Sequence, residues 1–498
     1  MDRRHFLSSG VAFGALALAS GSALADAATY RRFHAALKRD PKLVVFADTV
    51  AENAGEAVVK GRIPADLEGV FFRNGPGRFE LGGERYHHWF DGDGFAQRWQ
   101  VSGAKVSHRG RFVQTQKFVD ESSAGQFLYP AFGTWIDRRA VKTNDTLNAA
   151  NTNLVPFGGR LYALWEGGSA TELDPQSLAT LGVKTWSDEL KSMPFSAHPK
   201  MDPDGGMWNF GALPGSDKLV IYRLGANGQM QSTSVVDVPQ LAMVHDFVVS
   251  AGHLIFLIPP YDLMRGEQKS FADMHQWAGS GAKARALRAV VVAKATMQVR
   301  QVFELPPHMV FHFGNAWDDG DTTRFDVVLH QGDALMEVGH LMQGERPRNI
   351  ASRSFAAQVT LDYAKKQANV ARLLGPSEFP RVMPQVVSVR HRKLALLSSS
   401  PRNRDAVLDT VNLVDTASGN NDSYRFDAGW VVEEHVLVPR ANAVSETDGY
   451  LVGVAQDTKL AHTVMTVFDA AHVKDGPLAL ARLPYRTPHC FHGNFLKS

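Results

Sequence analysis

The sequence predicts an all-β fold, a barrel, sandwich or propeller, built as one large unit. Short runs of β-branched and aliphatic residues recur from about Lys42 onward, for example at 219–222, 254–258 and 289–292. Clusters of Gly, Asp, Asn and Pro separate these runs, as at 202–206. Many short strands with frequent turn signals are typical of these three architectures.

The first 25 residues read as an export signal. Arg3 and Arg4 are followed by Phe-Leu, an apolar run from Val11 to Ala19, and Ala-Leu-Ala ahead of Asp26. A basic start, a short apolar run and small residues before a cleavage site are typical of secretory signals, and the paired arginines resemble the bacterial twin-arginine export signal. The run is shorter than the ~20 residues that span a bilayer. We therefore predict a periplasmic protein whose mature chain is residues 26–498.

Residues 26–498 are expected to form a single domain. No long Pro- or Ser-rich linker, heptad repeat or strong charge block divides them. A propeller blade takes about 40–60 residues, so the chain has room for about seven blades, although no repeat per blade is visible. Helical periodicity is confined to two short stretches, 28–39 and 271–286.

Composition narrows the chemistry. The 53 basic and 51 acidic residues nearly cancel, which gives no electrostatic reason to expect a nucleic-acid partner. A lone cysteine, Cys490, excludes an intramolecular disulfide framework, a zinc ribbon and an iron–sulfur cluster. The chain has 19 histidines, so a metal would be held by imidazole and carboxylate. Phosphate-binding-loop, H-E-x-x-H and G-x-S-x-G motifs are absent from the sequence.

Four histidines lie in distinctive surroundings but far apart in the chain. They are His198 in Ala-His-Pro-Lys, His245 in Val-His-Asp-Phe, His312 in Phe-His-Phe-Gly-Asn and His492 in Phe-His-Gly-Asn. No helix or hairpin brings such distant residues together, whereas a propeller sends one inner strand of every blade toward a common axis. A single histidine is more often a packed or surface residue than a ligand, so spacing alone leaves both interpretations open.

Two further motifs carry a family resemblance. The stretch Leu-Glu-Gly-Val-Phe-Phe-Arg-Asn-Gly-Pro-Gly at 67–77 and His-His-Trp-Phe-Asp-Gly-Asp-Gly at 87–94 resemble the N-terminal signature of the carotenoid oxygenase family. That family includes carotenoid, apocarotenoid and stilbene cleavage dioxygenases. The four histidine contexts match its four iron-ligand motifs in order, so the resemblance extends over residues 67–494.

The resemblance implies a seven-bladed β-propeller with a cap of loops and short helices over the iron-bearing face. It implies one non-haem Fe(II) held by His198, His245, His312 and His492, with dioxygen as co-substrate. Neutral imidazoles suit iron(II), and four of them leave coordination positions open. No side chain need act as a catalytic acid or base.

In the family, glutamates orient three of the four iron-bound histidines by accepting their second N–H. By the resemblance these are Glu166 for His245, Glu378 for His312 and Glu434 for His492, and His198 has no such partner. The third segment departs from the family pattern, because His435 stands where proline is usual. Glu433 lies next to Glu434, so this segment offers two adjacent carboxylates for His492.

The implied reaction is oxidative cleavage of a carbon–carbon double bond of a carotenoid or apocarotenoid to aldehydes. Aromatic residues that could line a tunnel or its entrance, or equally pack in the core, are Phe127, Tyr129, Phe132 and Trp135, with Trp165 beside the first glutamate. An exposed apolar lip would allow a peripheral contact with a membrane, as in the family, without a span.

Three other functions stay open. Stilbene-cleaving members tend to have lysine at the position of Trp165, where it holds a phenol, so the apolar Trp165 favours a polyene over a stilbene. A propeller that binds a polyene without cleaving it is a second alternative. A calcium-dependent hydrolase or lactonase is a third, although calcium prefers carboxylate and carbonyl oxygens to imidazole.

Overall fold

The structure is a computed structural model that describes residues 27–49, 52–264, 270–345, 353–400 and 407–498. The predicted export signal lies outside these residues. Seven antiparallel sheets of four or five strands make up the body of the protein, each pairing neighbouring strands edge to edge. The prediction of a seven-bladed β-propeller is confirmed.

Five blades are formed by strands that follow one another along the chain, and the first strand of each is the innermost. Their strands are, for blade II, Asn153–Phe157, Arg160–Leu164, Ala170–Leu173 and Thr180–Lys184; for blade III, Lys200–Met201, Met207–Leu213, Lys218–Leu224 and Met230–Asp237; for blade IV, Val248–Val249, His253–Ile258, Leu287–Ala293 and Gln298–Leu305; for blade V, Met309–Asp319, Thr322–His330, Ser354–Asp362 and Gln367–Leu374; and for blade VI, Ser377–Arg381, Lys393–Ser398, Thr410–Asp415 and Asn421–Arg425. The strand runs expected at 219–222, 254–258 and 289–292 lie within these elements.

Blades I and VII close the ring by combining distant parts of the chain. Blade I runs from the inner strand His492–Lys497 through Gly69–Arg78, Asp93–Ser102 and Lys105–Phe112 to Asn53–Glu56. Blade VII runs from Trp430–Pro439 through Gly449–Asp457, His462–Asp469 and Ala479–Arg482 to Val58–Gly61. The last strand of the chain is the innermost strand of blade I, and the first two strands are the outermost strands of blades I and VII. The two ends of the chain are therefore joined at two places, which closes the ring.

Hydrophobic contacts between neighbouring blades hold the ring together. Between blades IV and V, for example, Ile255 and Val291 pack with Phe325 and Val359, all fully buried. Each buried aliphatic or aromatic side chain of this size contributes about 1.5–3 kcal/mol relative to exposure. The inner strands therefore stand around the axis at fixed positions.

A cap of short elements covers one end of the axis. It includes helices α1 (Ala27–Arg39), α2 (Gln116–Ala124) and α3 (Ala334–Met342), and the hairpins Glu80–Leu81 with Glu84–Arg85 and Tyr261–Leu263 with His275–Trp277. Phe33 of α1 and Met342 of α3 pack in one cluster with Phe46. Among the described residues, no helix is long and apolar enough to cross a membrane.

One of the two predicted helices is present. The helix expected at 28–39 corresponds to α1, whose buried Phe33 and Ala36 form its inner face. The helix expected at 271–286 is wrong: a single 3₁₀ turn, Ala272–Met274, leads into the strand His275–Trp277. This strand finds a partner in Tyr261–Leu263, and the chain then turns at Gly281, whose φ is +79°. Pairing in this hairpin outweighed the local helical pattern.

Candidate metal centre

The four predicted histidines come from the axial ends of four blades. His198 and His245 lie two and three residues before the inner strands of blades III and IV, His312 lies within the inner strand of blade V, and His492 begins that of blade I. The pairing of the blade V strand is irregular between Val310 and Phe313, and such an irregularity redirects side chains. One ring nitrogen from each histidine lies within 4.8 Å of the others.

The rings meet edge to face around a common point. Ring centroids are 4.4 Å apart for His198 and His245, 4.6 Å for His198 and His492, and 4.7 Å for His312 and His492. The Nε2 atoms of His198 and His245 are 2.9 Å apart, and the buried Nε2 of His312 has no hydrogen-bond partner among the described residues. Buried polar atoms normally have partners. Converging imidazole nitrogens of this kind fit a transition-metal cation.

Carboxylates lie behind three of these rings, in the predicted pairs. Nδ1 is 2.8 Å from Glu166 Oε2 in His245, 2.6 Å from Glu378 Oε2 in His312 and 3.0 Å from Glu434 Oε1 in His492. A carboxylate only accepts, so each Nδ1 donates its proton and each Nε2 keeps its lone pair for the centre. This tautomer is the one that binds a metal.

The electrostatics of the site favour charged forms of Glu378 and Glu434 and neutral imidazoles at His198 and His492. At His245, burial alone would lower the pKa, but the charge and hydrogen bond of Glu166 outweigh it and raise the pKa. Burial, together with the three neighbouring rings, lowers the pKa of His198 well below its usual range. Burial also lowers the pKa of His492 to about 4 despite the adjacent Glu434. Burial alone would raise the pKa of Glu378, but the charge and hydrogen bonds of His312 and His330 outweigh it and hold that pKa well below its usual range. The centre is therefore prepared to receive a cation.

Two residues that the sequence reasoning did not select complete the support. Arg381 forms a two-point ion pair with Glu434, with Nε to Oε1 at 2.9 Å and Nη2 to Oε2 at 3.0 Å. His330 Nε2 lies 2.6 Å from Glu378 Oε1. Arg381 belongs to the same short motif as Glu378, which was a usable signal, whereas nothing local marks His330.

The adjacent Glu433 and Glu434 of blade VII contact different partners. The pairing of this strand is irregular between Val432 and His435, and Glu434 faces His492. Glu433 instead accepts from Arg73 and from the backbone N–H of Cys490, at 2.8 and 3.0 Å.

His435, which stands in the usual proline position, is buried on the same strand. Its Nδ1 is 2.7 Å from the Glu433 carbonyl and its Nε2 is 2.7 Å from the Thr466 hydroxyl. Its ring also lies against Gly453, where a Cβ would come within 2.3 Å of the imidazole. The histidine thus occupies a fitted place between strands of blade VII.

A largely aromatic cavity opens onto the centre from the cap side. The cavity is bordered by three of the histidines, His245, His312 and His492, and by two of the three carboxylates, Glu166 and Glu378. Its aromatic lining residues are Phe46, Trp89, Phe90, Phe132, Trp165, Phe311, Phe379 and Phe491. Phe90 lies parallel to the His245 ring at 6.1 Å. Trp89 and Phe90 come from the second signature motif, so that motif contributes the cavity wall.

The predicted tunnel residues divide into two groups. Phe132 and Trp165 line the cavity, whereas Phe127, Tyr129 and Trp135 lie outside its lining. Phe127 is fully buried and stacks on Tyr86 with centroids 3.9 Å apart. The Tyr129 hydroxyl donates a hydrogen bond to Asp120 of α2. Residues adjacent in sequence here face different surroundings.

A seven-bladed propeller with four converging imidazoles beneath an aromatic cavity defines a class of propeller metalloprotein with an all-histidine centre. The comparison with known proteins is more specific. Residues 46–497 match the family model described as RPE65, retinal pigment epithelial membrane protein, and the chain belongs to this carotenoid oxygenase family. It is accordingly an oxidoreductase of the oxygenase class.

Individual relatives resemble the chain over nearly its whole length. It is 28% identical to the apocarotenoid-15,15'-oxygenase of Synechocystis, covering 88% of this chain and 92% of that protein. It is 27% identical to the lignostilbene-alpha,beta-dioxygenase isozyme III of Sphingomonas paucimobilis, with the same coverage of both chains. The solved structure of a cobalt-substituted Synechocystis apocarotenoid oxygenase has a TM-score of 0.81 at 25% identity, covering 92% of this chain and 98% of that one.

Proposed function

We propose that this protein is an Fe(II)-dependent dioxygenase that cleaves a carbon–carbon double bond of a carotenoid or apocarotenoid into two aldehydes. The observation that carries the proposal is the convergence of four imidazole nitrogens within 4.8 Å at the base of an aromatic cavity. The similarity to an apocarotenoid oxygenase and a lignostilbene dioxygenase supports a double-bond-cleaving reaction.

His198, His245, His312 and His492 would hold one iron ion. Nitrogen donors of this kind suit iron(II), and a related structure described as cobalt-substituted supports a resident metal. The ion's two charges and that of Arg381 would balance Glu166, Glu378 and Glu434, which keeps the buried centre close to neutral. When bound, the iron supplies the site at which dioxygen is bound and activated.

The protein's own contribution is to position the substrate and exclude water. Phe90, Phe311 and Phe132 form an apolar wall next to the His245 ring, which favours a flat unsaturated chain over a hydrated one. Holding one double bond beside the centre selects which bond reacts. The carboxylates are engaged by imidazoles, in keeping with a reaction that needs no acid or base.

A stilbene is the second candidate substrate. The lignostilbene dioxygenase relative is nearly as similar as the apocarotenoid oxygenase. Trp165, which borders the cavity beside Glu166, argues for a polyene, because an indole offers no cation to hold a phenolate. A propeller that binds a polyene without cleaving it would share the same cavity.

Aerobic incubation of iron-loaded protein with carotenoids, apocarotenals and hydroxystilbenes, read by mass spectrometry, separates these functions. Aldehyde pairs from a polyene support the main proposal, and aldehydes from stilbenes alone support the second. Tight polyene binding without any aldehyde would indicate the non-catalytic function.

The proposed place of action is the periplasm. The paired arginines Arg3 and Arg4 and the Ala-Leu-Ala site before Asp26 support export. Expression of the full chain in a bacterium, followed by fractionation and N-terminal sequencing, should give periplasmic protein that begins at Asp26. With Arg3 and Arg4 both replaced by lysine, export should stop; cytoplasmic, uncleaved wild-type protein would contradict the proposal.

A further inference from the structure

His489 is a polar side chain among apolar residues of the cavity lining. It precedes His492 by three residues, borders the cavity and is only 7% exposed. Its ring packs against Trp89, with centroids 5.0 Å apart, and against Phe46 at 5.8 Å. Val407, Leu408 and Val432 line the cavity as well. A buried imidazole among such neighbours normally has hydrogen-bond partners.

No side chain of the described residues satisfies this ring. Nδ1 is buried without a hydrogen-bond partner. The nearest oppositely charged atom is Glu433 Oε1, at 3.9 Å, which is beyond hydrogen-bonding distance. That oxygen already accepts from Gln456 Nε2 at 2.6 Å. The hydrogen-bonding capacity of His489 is thus available to a ligand.

The position of Glu433 selects one tautomer of His489. A lone pair on Nδ1 would face the negative carboxylate, whereas an N–H there is attracted to it. Burial lowers the pKa of His489, which keeps the ring neutral. With the proton on Nδ1, Nε2 is a hydrogen-bond acceptor. The Nε2 acceptor of His489 therefore suits a ligand group that donates a hydrogen bond.

We propose that His489 Nε2 accepts a hydrogen bond from a hydroxyl group on the substrate, so that the enzyme prefers hydroxylated alkenes over their deoxy or methylated counterparts. This inference rests on the proposed function and narrows its substrate class. The surrounding Trp89, Phe46 and Val432 would enclose the ring or chain end that carries the hydroxyl. His489 is a specificity residue in this account, because it touches the substrate but takes no part in bond cleavage.

Binding under anaerobic conditions tests the inference without relying on turnover. Iron-loaded wild-type protein, H489F and H489Q would be titrated with two matched pairs of compounds: a ring-hydroxylated apocarotenal with its deoxy form, and para-hydroxystilbene with its methyl ether. Quenching of tryptophan fluorescence reports binding, since Trp89 contacts His489. Phenylalanine retains the packing against Trp89, and glutamine restores an acceptor. Iron content of each variant is measured alongside.

In at least one pair, wild type is expected to bind the hydroxylated compound about three- to tenfold more tightly, the range of one neutral hydrogen bond. H489F should bring the ratio close to one, and H489Q should recover part of it. An unchanged ratio in H489F, equal weakening of both compounds, or no binding of either compound in both pairs would overturn the inference. Cleavage of the same compounds under air is read separately: discrimination in binding without cleavage refutes the proposed function alone, and cleavage without discrimination refutes this inference alone.

Discussion

The closed and open sides of the metal centre are held in different ways. On the closed side, Glu434 is 2% exposed and contacts His492, Arg381 and the backbone N–H of Gly493. On the open side, Glu166 is 24% exposed, borders the cavity and contacts His245. Three partners, one of them the cationic Arg381, fix Glu434 on the closed side, whereas the open side leaves room for substrate. We therefore expect substitutions on the closed side to weaken metal binding more than those on the open side.

The largest effect should follow removal of a ligand. H312A leaves three imidazoles and deprives Glu378 of one of its two histidine partners, so we expect almost no bound iron and a loss of activity greater than the roughly 100-fold limit typical of supporting residues. Iron per chain measured by mass spectrometry after loading and gel filtration checks this. His472 is exposed, and H472A provides the matched control. Full iron content in H312A would remove His312 from the ligand set.

Next in size are the two carboxylates whose side chains are less exposed than that of Glu166: Glu434 at 2% and Glu378 at 14%. E434Q and E378Q should keep the fold but weaken iron binding by about 10–100-fold, because a neutral amide no longer fixes the histidine tautomer as strongly. In E434Q, Arg381 also loses its charged partner, which adds a stability cost. Competition with a chelator measures the affinity.

The corresponding substitution on the open side is E166Q. E166Q should weaken iron binding by about tenfold, at the low end of that range. Because Glu166 is partly exposed, its replacement by a neutral amide leaves less uncompensated charge in a buried environment. Equal losses for Glu166 and Glu434 would show that burial does not distinguish the two sides. Unchanged iron content and rate in E378Q would exclude its supporting role.

A pH effect is expected from blade VII. Burial lowers the pKa of His435 from 6.5 to about 3. Between these values the unfolded chain holds a proton on this residue that the folded chain lacks, so stability is lost as the pH falls. The free energy of unfolding of metal-free H435Q, measured with urea between about pH 7 and pH 4, should therefore fall less steeply with decreasing pH than that of wild type. The two slopes should differ by the equivalent of up to one bound proton. The exposed H472Q should follow wild type, and an identical slope in H435Q would contradict the assignment.

The smallest effect on iron should come from the cavity wall. Trp165 lines the cavity but bonds to none of the four histidines, and a Cβ on Gly167 would lie 2.5 Å from its ring. W165A should retain full iron while kcat/KM for an apocarotenal falls by about tenfold, through lost packing area. Steady-state kinetics with the iron content measured in parallel would reveal a loss of metal instead.

The sequence predicted the metal centre better than the cavity. The order of motifs located four histidines and three glutamates, because each of these residues stands in a distinctive local sequence. His330 escaped because its contact with Glu378 joins separate blades, and no local spacing encodes it. The aromatic segment left cavity wall and core packing equally open, and only Phe132 of its four aromatic residues lines the cavity, since sequence neighbours in a loop need not share a surface.

The most direct test of the proposed double-bond cleavage is the stoichiometry of a single aerobic reaction. Iron-loaded wild-type protein and H312A would be given the same apocarotenal, with dioxygen uptake, alkene loss and aldehyde formation followed in one sample. We expect wild type to consume one dioxygen and form two carbonyl products for each alkene cleaved, and H312A to cleave none. Wild-type protein that holds iron and binds the alkene but leaves it intact, or cleavage that persists in H312A, would contradict the proposal.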